Sequence, residues 1–183
     1  TQLRRHKLNN ITLIPRTRMS YDHQGRLKST WHRADINEAE IELSELEYNF
    51  EDELTRRNLG WTGSKWLQEV DYRYNDQGWL EGINDTGPPL SGDDLFKLGL
   101  RYNAGFSTLQ SFPQKNGNIS ILVWQVAGSN QRAYGFQYDY LDRLTKATYG
   151  VYNSQGTALD GNNNYGTTYA YDARGNLQHL TRN

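Results

Sequence analysis

The sequence predicts an all-β protein made of consecutive antiparallel hairpins, and three observations carry that prediction. A short phrase, Tyr-Asp, two free positions, Gly, one more position and Leu, recurs along the chain. Aromatic residues make up 13% of the sequence, most of them tyrosine, beside 17 glycines; that mixture favours short strands and many turns. Apolar residues step by two or fall in short runs, the periods of half-buried and buried strands.

The phrase stands as YDHQGRL (21–27), YNDQGWL (74–80), YDYLDRL (138–144) and YDARGNL (171–177). YNFEDEL (48–54) keeps Tyr48 and Leu54 but has Asn49 for Asp and Asp52 for Gly, and Tyr102-Asn103 keeps only the opening pair. Successive tyrosines lie 27, 26, 28, 36 and 33 positions apart. Such drift suits hairpins joined by loops of variable length and not a helical solenoid of fixed register.

Each phrase reads as one turn. Asp22 caps a type I turn, and Gly25 takes the left-handed conformation that closes the hairpin through a bulge. Asp22 then faces Gly25–Arg26, and Tyr21 lies opposite Leu27 as a cross-strand pair. The same reading marks Tyr74, Asn75, Gly78 and Leu80, then Tyr138, Asp139, Arg143 and Leu144, then Tyr171, Asp172, Gly175 and Leu177. Asn at 49, 75 and 103 still caps. Asp22 and Arg26 share a face, where an exposed ion pair contributes little; Trp79 and Asn176 replace the Arg elsewhere, so the pair reads as dispensable. Asp52 and Asp142 stand where Gly is expected, and a left-handed Asp is less well tolerated than Gly.

Between the turns the elements follow in order. Residues 34–58 contain the best helix formers of the chain, but Ile41, Leu43, Leu46, Tyr48 and Phe50 step mainly by two, which predicts strand with a defect near Glu45. GWTGSKW (60–66) is loop-like. LQEVDYRYN and WLEGIN flank the turn at 75–78. Residues 82–94 and 150–166 read as loops from their Gly, Pro, Asn and Ser. ISILVW (119–124) is a short strand buried on both faces, and YGFQYDY and LTKATY flank the turn at 139–142. No helix longer than two turns is expected.

Net charge is −1 and the pI about 6.4, so no basic field holds nucleic acid or an anionic bilayer. No apolar run approaches the roughly 20 residues of a spanning helix, and the polarity of both strand faces weighs against a membrane barrel. There is no cysteine, which excludes a disulfide framework. TQLRRHKLNN has neither an initiator Met nor a signal-peptide core. Residues 1–183 therefore read as a single repeat region from a longer chain, with no second domain.

No residue set calls for chemistry. His6, His23, His32 and His179 lack ligand spacing, Asp93-Asp94 reads as a local cap or helical turn, and Ser107, Ser111 and Ser120 fit no nucleophile elbow. No catalytic residue, metal or cofactor is expected. Trp31, Trp61, Trp66, Trp79 and Trp124 read first as core in a sheet poor in aliphatics. Trp61 and Trp66, in the loop-like GWTGSKW, are the candidates for stacking on a sugar.

The repeated phrase, with ELEYNFEDELTRRNLG, DYRYNDQGWLEGIND, NGNIS and AYGFQYDYLDRLTKATY between and around its copies, resembles the YD-repeat (Rhs) family over nearly the whole chain. The resemblance implies a segment of a spiralling β-sheet shell. It further implies a structural role: enclosing or displaying another polypeptide, such as a C-terminal toxin, in a secreted or cell-surface setting. The implied partners are the rest of the chain's own polypeptide or an enclosed, exported one. A surface adhesion or carbohydrate-binding module built from the same repeats is the alternative. The family's Asp-Pro self-cleavage motif has no counterpart, because Pro15, Pro88, Pro89 and Pro113 all follow residues other than Asp. Both ends fall within repeat text, so the outer strands are expected to offer unpaired edges, and the chain to be stable within a longer polypeptide or held by a partner and to self-associate or stay partly disordered alone.

Overall fold

Turn chemistry sets where each strand stops, and strand pairing follows chain order almost throughout. The computed structural model describes residues 2–3, 6–8, 11–84, 94–153, 156–159 and 164–183, with side chains for 14–84, 94–151 and 164–183. It divides into two compact units, Thr1–Tyr72 and Arg73–Asn183. All described regular structure is antiparallel strand except one 3-10 turn, Ser107–Leu109. The chain is all-β, as its repeats predict.

The first unit holds β1 (Gln2–Leu3), β2 (His6–Leu8), β3 (Ile11–Leu13), β4 (Arg16–Tyr21), β5 (Leu27–Arg33), β6 (Ile41–Tyr48) and β7 (Leu54–Trp61), with β8 (Trp66–Tyr74) running through the boundary. β4 to β8 pair antiparallel in chain order, β1 adds to β4, and β2 pairs with β3. The helix-forming stretch is β6 and β7. A helix would bring Glu38 beside Glu42 and Glu47 beside Glu51, like charges four apart that destabilise it. In the sheet, Glu47 instead lies opposite Arg56, whose Nε donates to Asp71 at 2.7 Å. The defect sits two residues before the predicted one. Thr30 faces Ser44 and Trp31 faces Glu42, so Leu43 is the extra residue of a bulge.

The second unit holds β9 (Leu80–Ile83), β10 (Phe96–Arg101), β11 (Ile121–Val126), β12 (Gln131–Tyr138), β13 (Leu144–Asn153), β14 (Gly156–Leu159), β15 (Thr167–Tyr171) and β16 (Leu177–Arg182). Two loop predictions need correction. Part of 150–166 is strand: β14 pairs with the second half of β13, Gly150 to Asn153, while β15 pairs with Lys146 and Ala147 of the first half. Backbone pairing here overrides a composition rich in Gly and Asn, and the folded-back hairpin lengthens the spacing from Tyr138 to Tyr171. Of 82–94, Gly82 and Ile83 close β9 and residues 85–93, including Pro88, Pro89 and Asp93, lie outside the described residues. Asp94 makes no helical turn; it leads into β10 and holds the Lys97 ammonium at 3.4 Å.

Side-chain size decides what covers this second sheet. One face carries the row Leu100, Leu122, Tyr134 and Tyr149 across β10 to β13. The Trp124 ring stacks on Tyr134 at 5.6 Å between centroids, and Tyr149 meets Tyr134 edge-on at 5.4 Å. The opposite face carries Gly99, Val123, Ala133 and Gly150, then Arg101, Ile121, Gly135 and Thr148. Residues 103–118 cross that small-residue face as a strap, and Leu109 at its centre is 0% exposed. A Cβ at Gly135 would come within 2.6 Å of the Leu109 Cβ and carbonyl oxygen, so only Gly admits the strap. Gln137 and Lys146 both bond Gln110, which fastens it further. Ile121 is therefore buried under the strap, whereas Leu122 on the aromatic face is only half-buried, so this strand is sealed on one face and not on both.

Among the first unit's described residues there is no such plug, and those fully buried are Ser29, Ser44 and Asn58. Replacing Leu109 by Ala is expected to cost about 2–5 kcal/mol, the range for emptying a buried leucine site. A urea melt of the variant measures it, with a loss confined to the second unit.

Candidate functional site

The residues that recur in the sequence meet in space as a chain of locked turns. In the first copy the Asp22 amide donates to Arg26 O at 2.9 Å and Gly25 N to Asp22 O at 3.1 Å. Asp22 Oδ1 accepts from the amides of Gln24 and Arg26, both at 2.9 Å. Asn49, Asp139 and Asp172 repeat this bonding, and Asn75 does so through Gln77 and Trp79. Asn serves as well as Asp because the cap needs one side-chain oxygen. Gly25, Gly78 and Gly175 sit at φ of 82°, 74° and 87°, the left-handed region that favours glycine.

Tyr lies opposite Leu in each pair whose register is given: Tyr21–Leu27, Tyr48–Leu54, Tyr138–Leu144 and Tyr171–Leu177. The register shifts beside every one of them, which leaves Lys28, Thr55, Thr145 and Gln178 as extra residues just after the leucine. This second bulge has no signal in the sequence. A bulge takes backbone groups out of regular pairing, and the next copy's tyrosine supplies a partner. Tyr48 Oη donates to Leu27 O at 2.9 Å, Tyr102 to Leu80 O at 2.8 Å, Tyr138 to Ile119 O at 2.7 Å and Tyr171 to Leu144 O at 2.8 Å. Burial pushes the Tyr138 phenol above its ordinary pKa, and burial followed by Glu81 does the same for Tyr102. Both hydroxyls thus stay protonated donors at neutral pH.

The bond from Tyr138 also locates the degenerate copy. Gly117-Asn118-Ile119 takes the place of Gly-Arg-Leu, with Gly117 at φ 92°, while Tyr102-Asn103 opens the same copy. The strap is inserted between its halves. That accounts for the 36-residue spacing and for the missing text.

The residue before the leucine is better covered and better connected than an exposed ion pair, which corrects the sequence reading of that pair as exposed. Asp22 and Arg26 pair at 2.7 Å with side chains only 15% and 20% exposed. Arg26 Nη1 continues to Asn49 O at 3.1 Å and to Asp52 Oδ1 at 2.6 Å, and its Cζ lies 4.6 Å from the centre of the Tyr48 ring. Arg143 does the same: 2.7 Å to Asp139, 3.1 Å to Asp172 O, and Cζ 4.7 Å from the Tyr171 ring. Trp79 replaces the stacking, with its ring 5.0 Å from that of Tyr102. Where the second position is Asn49 its amide donates to Glu53 at 2.8 Å, and where the sixth is Asn176 it donates to Asp172 at 2.9 Å. The two positions vary as complements.

Asp52 and Asp142 sit at φ 67° and 62°, a conformation that costs a non-glycine residue about 1–2 kcal/mol. Each carboxylate reaches back to the preceding turn, Asp52 to Arg26 and Asp142 to Asn116 Nδ2 at 2.6 Å. The backbone cost is set against a bond that glycine has no atoms to make.

The other candidates take ordinary places. Trp61 ends β7 and Trp66 begins β8, so GWTGSKW is a tight hairpin and not an open loop; their rings pack on each other at 5.2 Å between centroids. His32 Nδ1 lies 3.2 Å from Thr17 Oγ1 and His179 Nε2 lies 3.1 Å from Thr181 Oγ1, while His6 lies outside the described side chains. Ser111 Oγ accepts from Phe106 N, and Ser120 Oγ donates to Arg101 O. Among the described residues no three His, Cys, Asp or Glu side chains gather as a metal site, and no helix is long and apolar enough to cross a membrane.

No protein-family model matches the chain, and no curated protein does either. Its fold is similar to parts of solved chains of TcdB2-TccC3 without its hypervariable C-terminal region (TM-score 0.44, 16% identity) and of TcdB2-TccC3-TEV (TM-score 0.41, 17% identity). The matches cover 92% and 91% of this chain and 9% of each of those. The chain thus spans less than a tenth of the length of the chains it resembles.

Removing one lock hydroxyl, Tyr171→Phe, is expected to cost about 0.5–1.5 kcal/mol, the net worth of such a bond. Tyr165→Phe, at an exposed ring, should leave the urea midpoint unchanged. Acid tests the caps. At Asp22 and Asp139 partial burial pushes the carboxyl up, but the side-chain and backbone hydrogen bonds from Arg26 and Arg143 together outweigh it and leave the pKa below the ordinary value. At Asp172 the side-chain hydrogen bond from Asn176 is the leading cause of the lowering. Folded values below unfolded ones mean that these groups add stability above about pH 4 and lose it as pH falls through their folded values. Thermal melts from pH 6 to pH 2 should show this loss, and a triple Asp→Asn variant at 22, 139 and 172 should show a shallower one.

Proposed function

We propose that the chain is a structural repeat segment of an Rhs-type β-shell that encloses or displays another polypeptide. The observation that carries this reading is the lock itself: four tyrosine hydroxyls each reach the backbone carbonyl of the copy before, at 2.7–2.9 Å. Such bonds make successive hairpins depend on their neighbours, which is how repeat walls are stabilised. The caps at Asp22, Asn49, Asn75, Asp139 and Asp172 are spent on their turns and the four tyrosine hydroxyls on the copy before, so in this reading the segment supports a wall and carries no catalysis of its own. The polypeptide it serves would be the remainder of its own longer chain or an exported one.

Limited proteolysis of the full natural polypeptide, read by mass spectrometry, tests the proposal. An enclosed stretch rich in cleavable residues should survive while the wall is intact. It should be cut once Tyr138→Ala and Tyr171→Ala unlock two copies. Uniform cutting of every stretch outside this segment in the native protein would rule out enclosure.

A further inference from the structure

Residues 1–34 carry eight Lys and Arg against the single acid Asp22, whereas residues 35–54 carry nine acids and no Lys or Arg. The near-zero net charge conceals this separation. Five described arginines have found a carboxylate: Arg18 bonds Glu40, Arg26 bonds Asp22 and Asp52, Arg56 bonds Asp71, Arg73 bonds Glu81 and Arg143 bonds Asp139. Two in the basic hairpin have not. Arg16 on β4 and Arg33 on β5 stand directly opposite each other across the antiparallel pair. Both are half-buried, and the Nε of each is shut off from solvent with no hydrogen-bond partner.

Like charges directly opposite on neighbouring strands are destabilising, and a desolvated donor without an acceptor adds to the cost. The carboxylates of the neighbouring strand segment do not relieve it. Glu40 is held by Arg18, whose Cζ also lies 3.8 Å from the Trp31 ring centre, and Glu42 lies opposite Trp31 without bonding either arginine. The one polar contact of the pair is a 3.4 Å reach from Arg33 Nη1 to Ile36 O. Two arginines opposite each other on one face, neither held by a carboxylate, leave uncompensated charge of the kind that binds oxyanions.

We propose that Arg16 and Arg33 together form an oxyanion-binding site that takes a carboxylate or phosphate group. The anion neutralises the opposed charges through the parts of the two half-buried guanidinium groups that solvent reaches. A carboxylate comes from an acidic peptide segment, and a phosphate comes free in solution.

Two titrations of the 183-residue chain at constant ionic strength, one with inorganic phosphate and one with hexaglutamate, read binding by calorimetry and thermal shift against sodium chloride. At least one anion should bind saturably and raise the melting temperature. Arg16→Gln and Arg33→Gln should each weaken that binding by about tenfold or more, roughly 1.4 kcal/mol, while Arg132→Gln leaves it unchanged. Phosphate binding alone identifies a phosphate site, and hexaglutamate displacing phosphate identifies a carboxylate site. In chloride the two single variants should melt no lower than the parent, because each removes one of two opposed charges. A large loss of stability in either variant would show that the pair is already satisfied within the chain and would overturn the proposal. So would the absence of binding beyond chloride, or binding that survives both substitutions.

Discussion

Within each unit the structure depends on one recurrent bond, from the hydroxyl of a tyrosine to the backbone carbonyl of a Leu or Ile one copy earlier. A hairpin by itself is marginal in water because two strands bury too little. Here the register of each hairpin leaves an extra residue just past the leucine, and the carbonyl beside that bulge is the one the next tyrosine takes. The same residue type therefore does two jobs: its ring pairs across its own hairpin with Leu, and its hydroxyl ties that hairpin to the one before. Phenylalanine could do only the first. That is why the repeat is written with tyrosine in a chain that has 13 of them and only five phenylalanines.

The positions that vary between copies obey the same constraint. The second and sixth residues hold each other as Asp with Arg, Asn with Glu, or Asp with Asn. The sixth then covers the next tyrosine ring, whether as a guanidinium or as Trp79. Guanidinium and indole both serve there because each makes a favourable contact with an aromatic ring, the first over the face and the second tilted by 50°. Glycine gives way to Asp52 and Asp142 where a carboxylate can brace the preceding turn. Each exchange keeps a contact between copies.

Much of the fold could be read directly. The Tyr–Leu pairing, the Asx caps and the left-handed glycines are local events, fixed within seven residues by turn chemistry, and so they were legible at 21–27 and 171–177 alike. The links between copies were not, because they join residues 19 to 29 positions apart and leave no mark on periodicity; the signal that was present, Gly117-Asn118-Ile119 echoing Gly-Arg-Leu, was hidden by the strap. Composition misled wherever backbone pairing decided the outcome, as in β14 at Gly156–Leu159. Trp61 and Trp66 looked available for a ligand because the sequence shows their separation and not their register, which turns each ring toward the other.

The two units solve the shared problem of a sheet poor in aliphatics by different means. In the second, the strap between Asn103 and Gly117 supplies Leu109 and covers a face pared down to Gly99, Ala133, Gly135 and Gly150, so a hydrophobic seal exists at the price of losing one legible repeat. In the first, the fully buried described side chains are Ser29, Ser44 and Asn58, and cohesion falls to backbone pairing, turn locks and the opposed charges of β6 and β7. Hydrogen bonds and surface ion pairs contribute little net free energy each, whereas a buried leucine contributes about 1.5–3 kcal/mol. On its described residues the first unit should therefore be the weaker on its own and the more sensitive to salt. Repeat proteins tolerate such asymmetry, because a unit that is marginal alone is stabilised by the interface with its neighbour.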